Sequence, residues 1–215
     1  MAEMIDPLYR SRSGAGADLG RQVYKRVRPP VVIVGVTPTG VEIAASAAKA
    51  LEVPFDVIVA AHVRMEGLGI LGAVAEDANA VLDPAFQPRF GVVESLNEAI
   101  ERARRVVKTD RVLFRGQRPL RSVTDMDVVV VDGHLTLPWK VLAATEAILE
   151  ARPRYVVVAA PVSTQSVQER LRVRRLEFVC PTVLPDPAGH PRPFGDPQDP
   201  SAERLRSIII AREAA

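Results

Sequence analysis

The strongest constraint on the fold is a pair of unbroken β-branched runs, VVIVGV at residues 31–36 and VVVV at residues 128–131. Neither run alternates with polar residues, so both faces of each strand must be covered by other parts of the chain. Residues 55–60 and 155–160 are similar, and we expect all four stretches in one sheet. Helical patterns follow three of them, at residues 39–51, 138–151 and 163–171. The alternation predicts an α/β fold, a mainly parallel twisted sheet with helices on both faces.

The composition is that of a globular protein. The 215 residues are 47% hydrophobic and carry a formal net charge of +2, which excludes a disordered chain. No apolar run approaches the roughly 20 residues that span a bilayer, and the first residues lack the apolar segment of a secretory signal. We therefore expect a soluble cytoplasmic protein without a membrane partner, with one domain over residues 1–215.

Residues that bind metals are scarce. The one cysteine, Cys180, excludes an internal disulfide, and its place after an apolar stretch predicts a buried structural thiol rather than a nucleophile. With three histidines and one thiol, no metal site built from these residues is expected. Twenty-four of the 28 basic residues are arginines, but 26 acidic residues balance them, which argues against a nucleic-acid-binding protein.

Several regions depart from the alternation of strand and helix. Residues 66–83 contain short apolar pieces and predict small antiparallel strands. Residues 94–109 predict an amphipathic helix rich in Arg and Glu, and an arginine-rich segment follows at 111–121. Residues 181–200 form a proline-rich connection, and residues 202–212 predict a final short helix.

The loops after the strands are the places to look for a site. In parallel α/β sheets ligands bind beyond the carboxyl ends of the strands, where loops lead into helices. Here those loops are residues 37–40, 61–64, 132–139 and 161–164. The chain contains neither GxGxxG nor GxxxxGK[ST], which excludes the standard dinucleotide-binding and P-loop classes.

Five stretches follow the motifs of one known family. They are YRSRSGAG at 9–16, GVTPTGVEIA at 35–44, LGAV at 71–74, FRGQRP at 114–119 and VVDGHLTLPWKV at 130–141. In this order they resemble F-x-D-R-x-x-A-G, A-L-P-R-G-G-V-P-V-A, I-G-A-V, Y-R-G-x-R-P and V-V-D-D-G-I-A-T-G-A-T-M of the type I phosphoribosyltransferases. The resemblance covers nearly the whole chain. It implies a transferase of nucleotide metabolism that uses phosphoribosyl diphosphate (PRPP), with hood elements from residues 1–20, 62–121 and 181–215.

The positions that carry the chemistry depart from the family's pattern. Its acidic pair becomes Asp-Gly at residues 132–133, and its T-G-A-T phosphate turn becomes LPWK at 137–140. Its P-R-G-G pyrophosphate loop becomes TPTG at 37–40, and its basic pair falls on Ala-His at 61–62. Each change removes a group that would bind ribose hydroxyls, phosphate or the departing pyrophosphate.

We therefore predict a degenerate active site that binds a phosphate-bearing or nucleotide-like ligand and has lost most or all transfer activity. Trp139 is expected to add bulk where phosphate would lie. Thr39 and Thr136 are alternatively plain caps of the two helices that follow the altered loops. The predicted ligand-binding residues are Thr37, Thr39, Gly40, His62, Arg64, Gly133, His134, Thr136, Trp139 and Lys140, with Arg115 and Arg118 in the hood.

Two other functions stay open. An active phosphoribosyltransferase would use Asp132 as the catalytic residue, with Thr136, Lys140 and Arg64 in place of the standard groups, and would need Mg²⁺. An interaction protein would present the arginine segment to an acidic partner, and a homodimer is also considered.

The two histidines in substituted motif positions give a further prediction. Both His62 and His134 follow strands at one edge of the expected sheet, so they should border a single cleft with Thr37 and Trp139 nearby. With pKa values near the ordinary value of about 6.5, they would strengthen anion binding at low pH.

Overall fold

The computed structural model of the protein describes residues 6–86, 92–186 and 192–213. Its helices are α1 (Arg12–Val23), α2 (Pro38–Leu51), α3 (Val92–Arg115), α4 (Trp139–Glu150), α5 (Gln165–Val173) and α6 (Ala202–Glu213). Its strands are β1 (Val31–Gly35), β2 (Phe55–Val57), β3 (Ala60–Met65), β4 (Gly69–Ala75), β5 (Val81–Leu82), β6 (Asp127–Val131), β7 (His134–Leu135), β8 (Tyr155–Ala159), β9 (Val162–Thr164), β10 (Glu177–Val179) and β11 (Thr182–Leu184). Among the described helices, none is long and apolar enough to cross a bilayer.

The central element is a parallel sheet of five strands in the order β10-β8-β6-β1-β2. Val31 pairs with Asp127 and Gly35 with Val131, so β1 and β6 end at the same level. Every residue of these two strands is buried. The predicted α/β class and the mainly parallel sheet are confirmed.

The β-branched residues of β1 and β6 divide between two cores. Val32 and Val130 face the core formed with α4 and α5. Ile33 and Val129 face the core formed with α1, α2 and α6. Both faces of the sheet are therefore covered, which is why these strands carry no polar alternation.

The predicted strand at 55–60 is wrong at its carboxyl end. The central sheet includes β2 only as far as Val57, and Ala60 already belongs to β3 in a different sheet. Between them, Val59 N donates to Glu76 Oε1 (2.8 Å), and Glu76 N donates to the Val59 carbonyl (3.2 Å). The chain leaves the central sheet because Glu76 supplies the hydrogen bonds that a sheet neighbour would otherwise supply.

A second parallel sheet lies directly beyond the first. It has the order β11-β9-β7, and each of its strands follows β10, β8 or β6 in the chain. Ser163 lies in β9 and does not start a helix as expected; its Oγ donates to the Leu135 carbonyl at 2.8 Å. The helix begins only at Gln165, and the predicted connection at 181–200 contains β11.

The third sheet is antiparallel, in the order β3-β4-β5, and with α3 it forms what we call the hood. Its strands confirm the prediction for residues 66–83. The apolar side of α3 packs on this sheet through Leu96, Ala99 and Val107. The helix extends past the predicted end at residue 109, because Phe114 continues the apolar side and packs into the same cluster.

Candidate functional site

A cleft of about 290 Å³ opens at the carboxyl edge of the central sheet, where β1 and β6 end and α2 and α4 begin. It lies under the first strand of the hood. Its lining residues are Thr37, Thr39, His62, Asp132, His134, Thr136, Leu137, Lys140 and Asp199. The prediction that His62 and His134 border a single cleft, with Thr37 beside them, is confirmed.

The start of α2 forms one side of the cleft. Thr37 has extended backbone angles and is the N-cap, and its Oγ1 accepts a hydrogen bond from Gly40 N at 3.1 Å. The same hydroxyl donates to Asp132 Oδ1 at 2.9 Å. The prediction that Thr39 is the N-cap is wrong, because Thr39 lies inside the first turn of α2. Its hydroxyl donates to Asp199 Oδ1 at 2.7 Å.

Asp132 lies at the end of β6 and is buried. Its Oδ1 accepts hydrogen bonds from Thr37 and from the Gly133 backbone N–H (2.5 Å). Burial raises the pKa of Asp132, and these hydrogen bonds act in the opposite direction. One oxygen of the only acid left from the family's pair is therefore held by the protein itself.

The turn after β6 and the start of α2 are in close contact. A Cβ placed on Gly133 would lie 2.1 Å from Thr39 Cγ2, and one on Gly40 would lie 2.6 Å from the Val131 carbonyl oxygen. A side chain at position 133 would require Thr39 to shift. Two departures from the family's motifs, threonine for glycine at 39 and glycine for aspartate at 133, therefore lie against each other.

The start of α4 forms the opposite side of the cleft. Its N-cap is Pro138, which supplies no side-chain hydrogen bond, and its first turn contains no acidic residue. Thr136 does not cap the helix as predicted. It lines the cleft with Lys140 instead, because the strand β7 directs the chain past the cleft before the helix begins.

Trp139 differs from expectation. Its side chain is 4% exposed, packs in the core beneath α4, and has the Arg170 guanidinium 5.1 Å from its ring centroid. The indole is absent from the cleft lining, so it adds no bulk at the phosphate position. At the first helical position it faces inward and leaves the next residue, Lys140, at the cleft.

The two histidines occupy different strands of the cleft. His62 is on β3, and His134 begins β7. Burial, together with the charges of Lys140 and Arg64, lowers the pKa of His62 to about 4. The expected value near 6.5 is therefore wrong for His62, which is neutral at physiological pH.

Three predicted arginines lie away from the cleft lining. Arg64 is exposed on β3 and reaches the site only through its charge. Arg115 is buried, forms an ion pair with Glu76 and donates to the Val57 carbonyl at 2.6 Å. Arg118 donates twice to Asp56, at 2.6 and 3.0 Å. The last two attach the hood to the central sheet instead of reaching over a ligand.

Asp199 is the polar cleft residue that sequence reasoning missed; Leu137 also lines the cleft and was predicted only as part of the 132–139 loop. It lies in the proline-rich stretch at 181–200, which has no periodicity and resembles none of the motifs. Only its acidic side chain in a loop was available as a signal, and the chain has many such residues.

Metal-binding groups are few within the described ranges. No cluster of three His, Cys, Asp or Glu side chains suited to a metal ion occurs there. Magnesium commonly binds through one or two carboxylates together with substrate phosphates. Asp132 and Asp199 are the carboxylates at the cleft, so Mg²⁺ remains a prediction tied to the active alternative.

Cys180 is partly buried, not fully buried as predicted. It follows β10, and its Sγ donates to the Thr182 carbonyl at 3.3 Å. Burial raises its pKa to about 11, so it is protonated at neutral pH.

The chain is similar to several known proteins and solved structures. No family model matches the chain. The crystal structure of TT1426 from Thermus thermophilus is 30% identical, with a TM-score of 0.78, over 94% of this chain and 98% of that one. The "Putative phosphoribosyl transferase Rv0571c" of Mycobacterium tuberculosis is 27% identical over 179 residues, 80% of this chain. This chain spans 40% of the length of that curated relative.

A more distant structure has the same fold. The crystal structure of a hypothetical protein from Neisseria gonorrhoeae with bound ppGpp is 11% identical and has a TM-score of 0.50, over 97% of this chain. The parallel sheet, the antiparallel hood and these similarities lead to one conclusion: the chain belongs to the type I phosphoribosyltransferase family.

Proposed function

We propose that the protein is a phosphoribosyltransferase-like binding protein whose cleft holds a phosphate-bearing, nucleotide-like ligand, and that it has lost PRPP-dependent transfer. The observation that carries this proposal is the contact between Thr39 and Gly133. Glycine at 133 removes the second carboxylate, and threonine at 39 fills the space where the pyrophosphate loop of the family has glycine.

The opposite side of the cleft supports retained phosphate binding. The first amides of α4 have no partners within the helix, and the helix dipole favours an anion there. Lys140 provides an ammonium group at the same place, and Thr136 provides a hydroxyl donor. These groups match the chemistry of a phosphate monoester.

The charges of the cleft argue against the transfer step. Departure of pyrophosphate requires positive groups that stabilise the developing charge. Among the described residues that line the cleft, Lys140 is the only Lys or Arg, and His62 is neutral at physiological pH. Arg64, which the active alternative would use, is exposed outside that lining.

Binding and catalysis are tested separately. The thermal stability of the wild-type protein should rise with ribose 5-phosphate or a nucleoside monophosphate; a ligand at about 100 times its Kd adds roughly 2.7 kcal/mol. The matched control is Lys140→Met, which should lose most of the shift.

Transfer is then assayed with PRPP, Mg²⁺ and purine, pyrimidine or orotate-like acceptors, in both directions. We expect no turnover above background. Turnover that Asp132→Ala abolishes would instead establish an active phosphoribosyltransferase with an unusual site.

A further inference from the structure

Asp199 reaches the cleft on a segment that is anchored at several points. We call residues 193–200 the C-terminal strap. Phe194 is buried beside Tyr9, with their ring centroids 6.2 Å apart. Backbone hydrogen bonds join Tyr9 N to the Pro193 carbonyl (3.0 Å) and Gly195 N to the Tyr9 carbonyl (2.9 Å). The strap is therefore anchored through the buried Phe194 and Pro200, while residues 196–199 between them are exposed.

A buried arginine fixes the part of the strap next to Asp199. The Arg12 side chain is 5% exposed and contacts Asp196 Oδ2 at 3.3 Å. It also donates to the Asp196 carbonyl at 3.0 Å and to the Gln198 carbonyl. Glu42 of α2 lies 3.7 Å away and balances the guanidinium charge. The strap is thereby held against the first turns of α1 and α2.

The result of this anchoring is a carboxylate at the start of α2. Asp199 Oδ1 accepts the hydroxyl hydrogen of Thr39 at 2.7 Å and lines the cleft. A negative group beside the first turn of α2 disfavours a second anion at this place, because like charges repel. The cleft then has two carboxylates, Asp132 and Asp199, against the single ammonium of Lys140.

We propose that Asp199 is a specificity-determining residue, which makes the cleft accept a phosphate monoester at α4 and reject ligands that also place a pyrophosphate at α2. This inference rests on the proposed function and adds the substrate class. A like charge beside a second anionic group is an effective way to exclude the wrong ligand. The same carboxylate can still accept hydrogen bonds from sugar hydroxyls, which a sugar monophosphate has.

The test uses Asp199→Asn, which removes the charge and keeps an oxygen that can accept from Thr39. Binding of inorganic pyrophosphate and of ribose 5-phosphate is measured by calorimetry for the wild type and the variant. We expect the variant to bind pyrophosphate at least about tenfold more tightly, with ribose 5-phosphate changed by less than about threefold.

Asp186→Asn is the matched control. Asp186 is an exposed acid that accepts from Ser166 N and Ser166 Oγ, both at 2.7 Å, at the start of α5. The control changes the net charge equally but lies outside the cleft lining, so pyrophosphate binding should be unchanged. An equal gain in both variants would show a general charge effect and overturn the inference.

The outcomes separate the two proposals. If the wild type binds ribose 5-phosphate but Asp199→Asn gains no pyrophosphate affinity, the specificity role is wrong and the proposed function holds. If the variant gains pyrophosphate affinity while the wild type binds no phosphate monoester, Asp199 excludes pyrophosphate as inferred, but the proposed ligand class, and with it the acceptance of a monoester at α4, is wrong. If the wild type does not bind ribose 5-phosphate and the variant gains no pyrophosphate affinity, both the proposed function and the specificity role are wrong.

Discussion

The helices α2 and α4 both begin at the cleft, but they differ in which side chains contact their first turns. At α2, Thr37 caps the helix, and Thr39 holds the carboxylate of Asp199. At α4 there is no side-chain cap, and Lys140 faces the cleft. The chain's own side chains contact the first turn of α2, whereas α4 has no side-chain cap.

The largest expected effect concerns the contact that closes the α2 side. Gly133→Asp should lower the free energy of unfolding by about 3 kcal/mol or more, because the new Cβ overlaps the Thr39 side chain and a charge is buried. Chemical denaturation measures the loss.

Thr39→Gly and the double variant complete a double-mutant cycle. The double variant should be clearly more stable than the sum of the two single effects requires, since the overlapping methyl group is gone. If the stability changes of the two single variants simply add in the double variant, positions 39 and 133 are not coupled.

The next effect concerns the α4 side. Lys140→Met should weaken binding of ribose 5-phosphate about ten- to a hundredfold, the range for a lost charged hydrogen bond. Calorimetry at fixed ionic strength measures it. Lys25→Met, on the exposed surface after α1, is the control for net charge and should bind as the wild type does.

The caps themselves differ between the two helices. Thr37→Val should cost about 1–2 kcal/mol of stability, because both the cap to Gly40 and the bond to Asp132 are lost. Thr136→Val should cost less than about 0.5 kcal/mol, since Thr136 caps nothing. Equal losses in urea denaturation would contradict the assignment of the caps.

The last effect is a pH dependence, which comes from His62. The folded pKa of His62, about 4, lies below its unfolded value, so protonation favours the unfolded chain. The contribution of His62 to the free energy of unfolding should therefore fall as the pH drops from about 6.5 towards 4, and should be constant above pH 6.5. The stability difference between wild type and His62→Gln, followed from pH 4 to 8, separates the contribution of His62 from that of Asp132. A difference independent of pH would show that His62 titrates normally.

The scaffold was predictable because its cause is local. The β-branched runs of β1 and β6 require burial on both faces, and this alone predicts a covered parallel sheet. The exit of the chain from the sheet after Val57 was not predictable, because it depends on Glu76, which lies in the hood.

The site was predictable as a set of loops and not as a set of contacts. The motif positions brought His62, His134 and Lys140 to one cleft correctly. The packing of Thr39 on Gly133 joins residues far apart in the chain, and no pattern within either loop indicates it. The low pKa of His62 likewise depends on burial under the hood and on charges from other elements.

The most direct test of the account is the location of a bound phosphate. Backbone amide shifts of the protein, followed by NMR during titration with ribose 5-phosphate, report which helix start holds the anion. We predict that the largest shifts occur at Trp139, Lys140 and Val141, whose amides have no partner within the helix. Saturable shifts concentrated at Thr39 and Gly40 instead, or no shifts at either helix start, would contradict the claim that the start of α4 binds the phosphate.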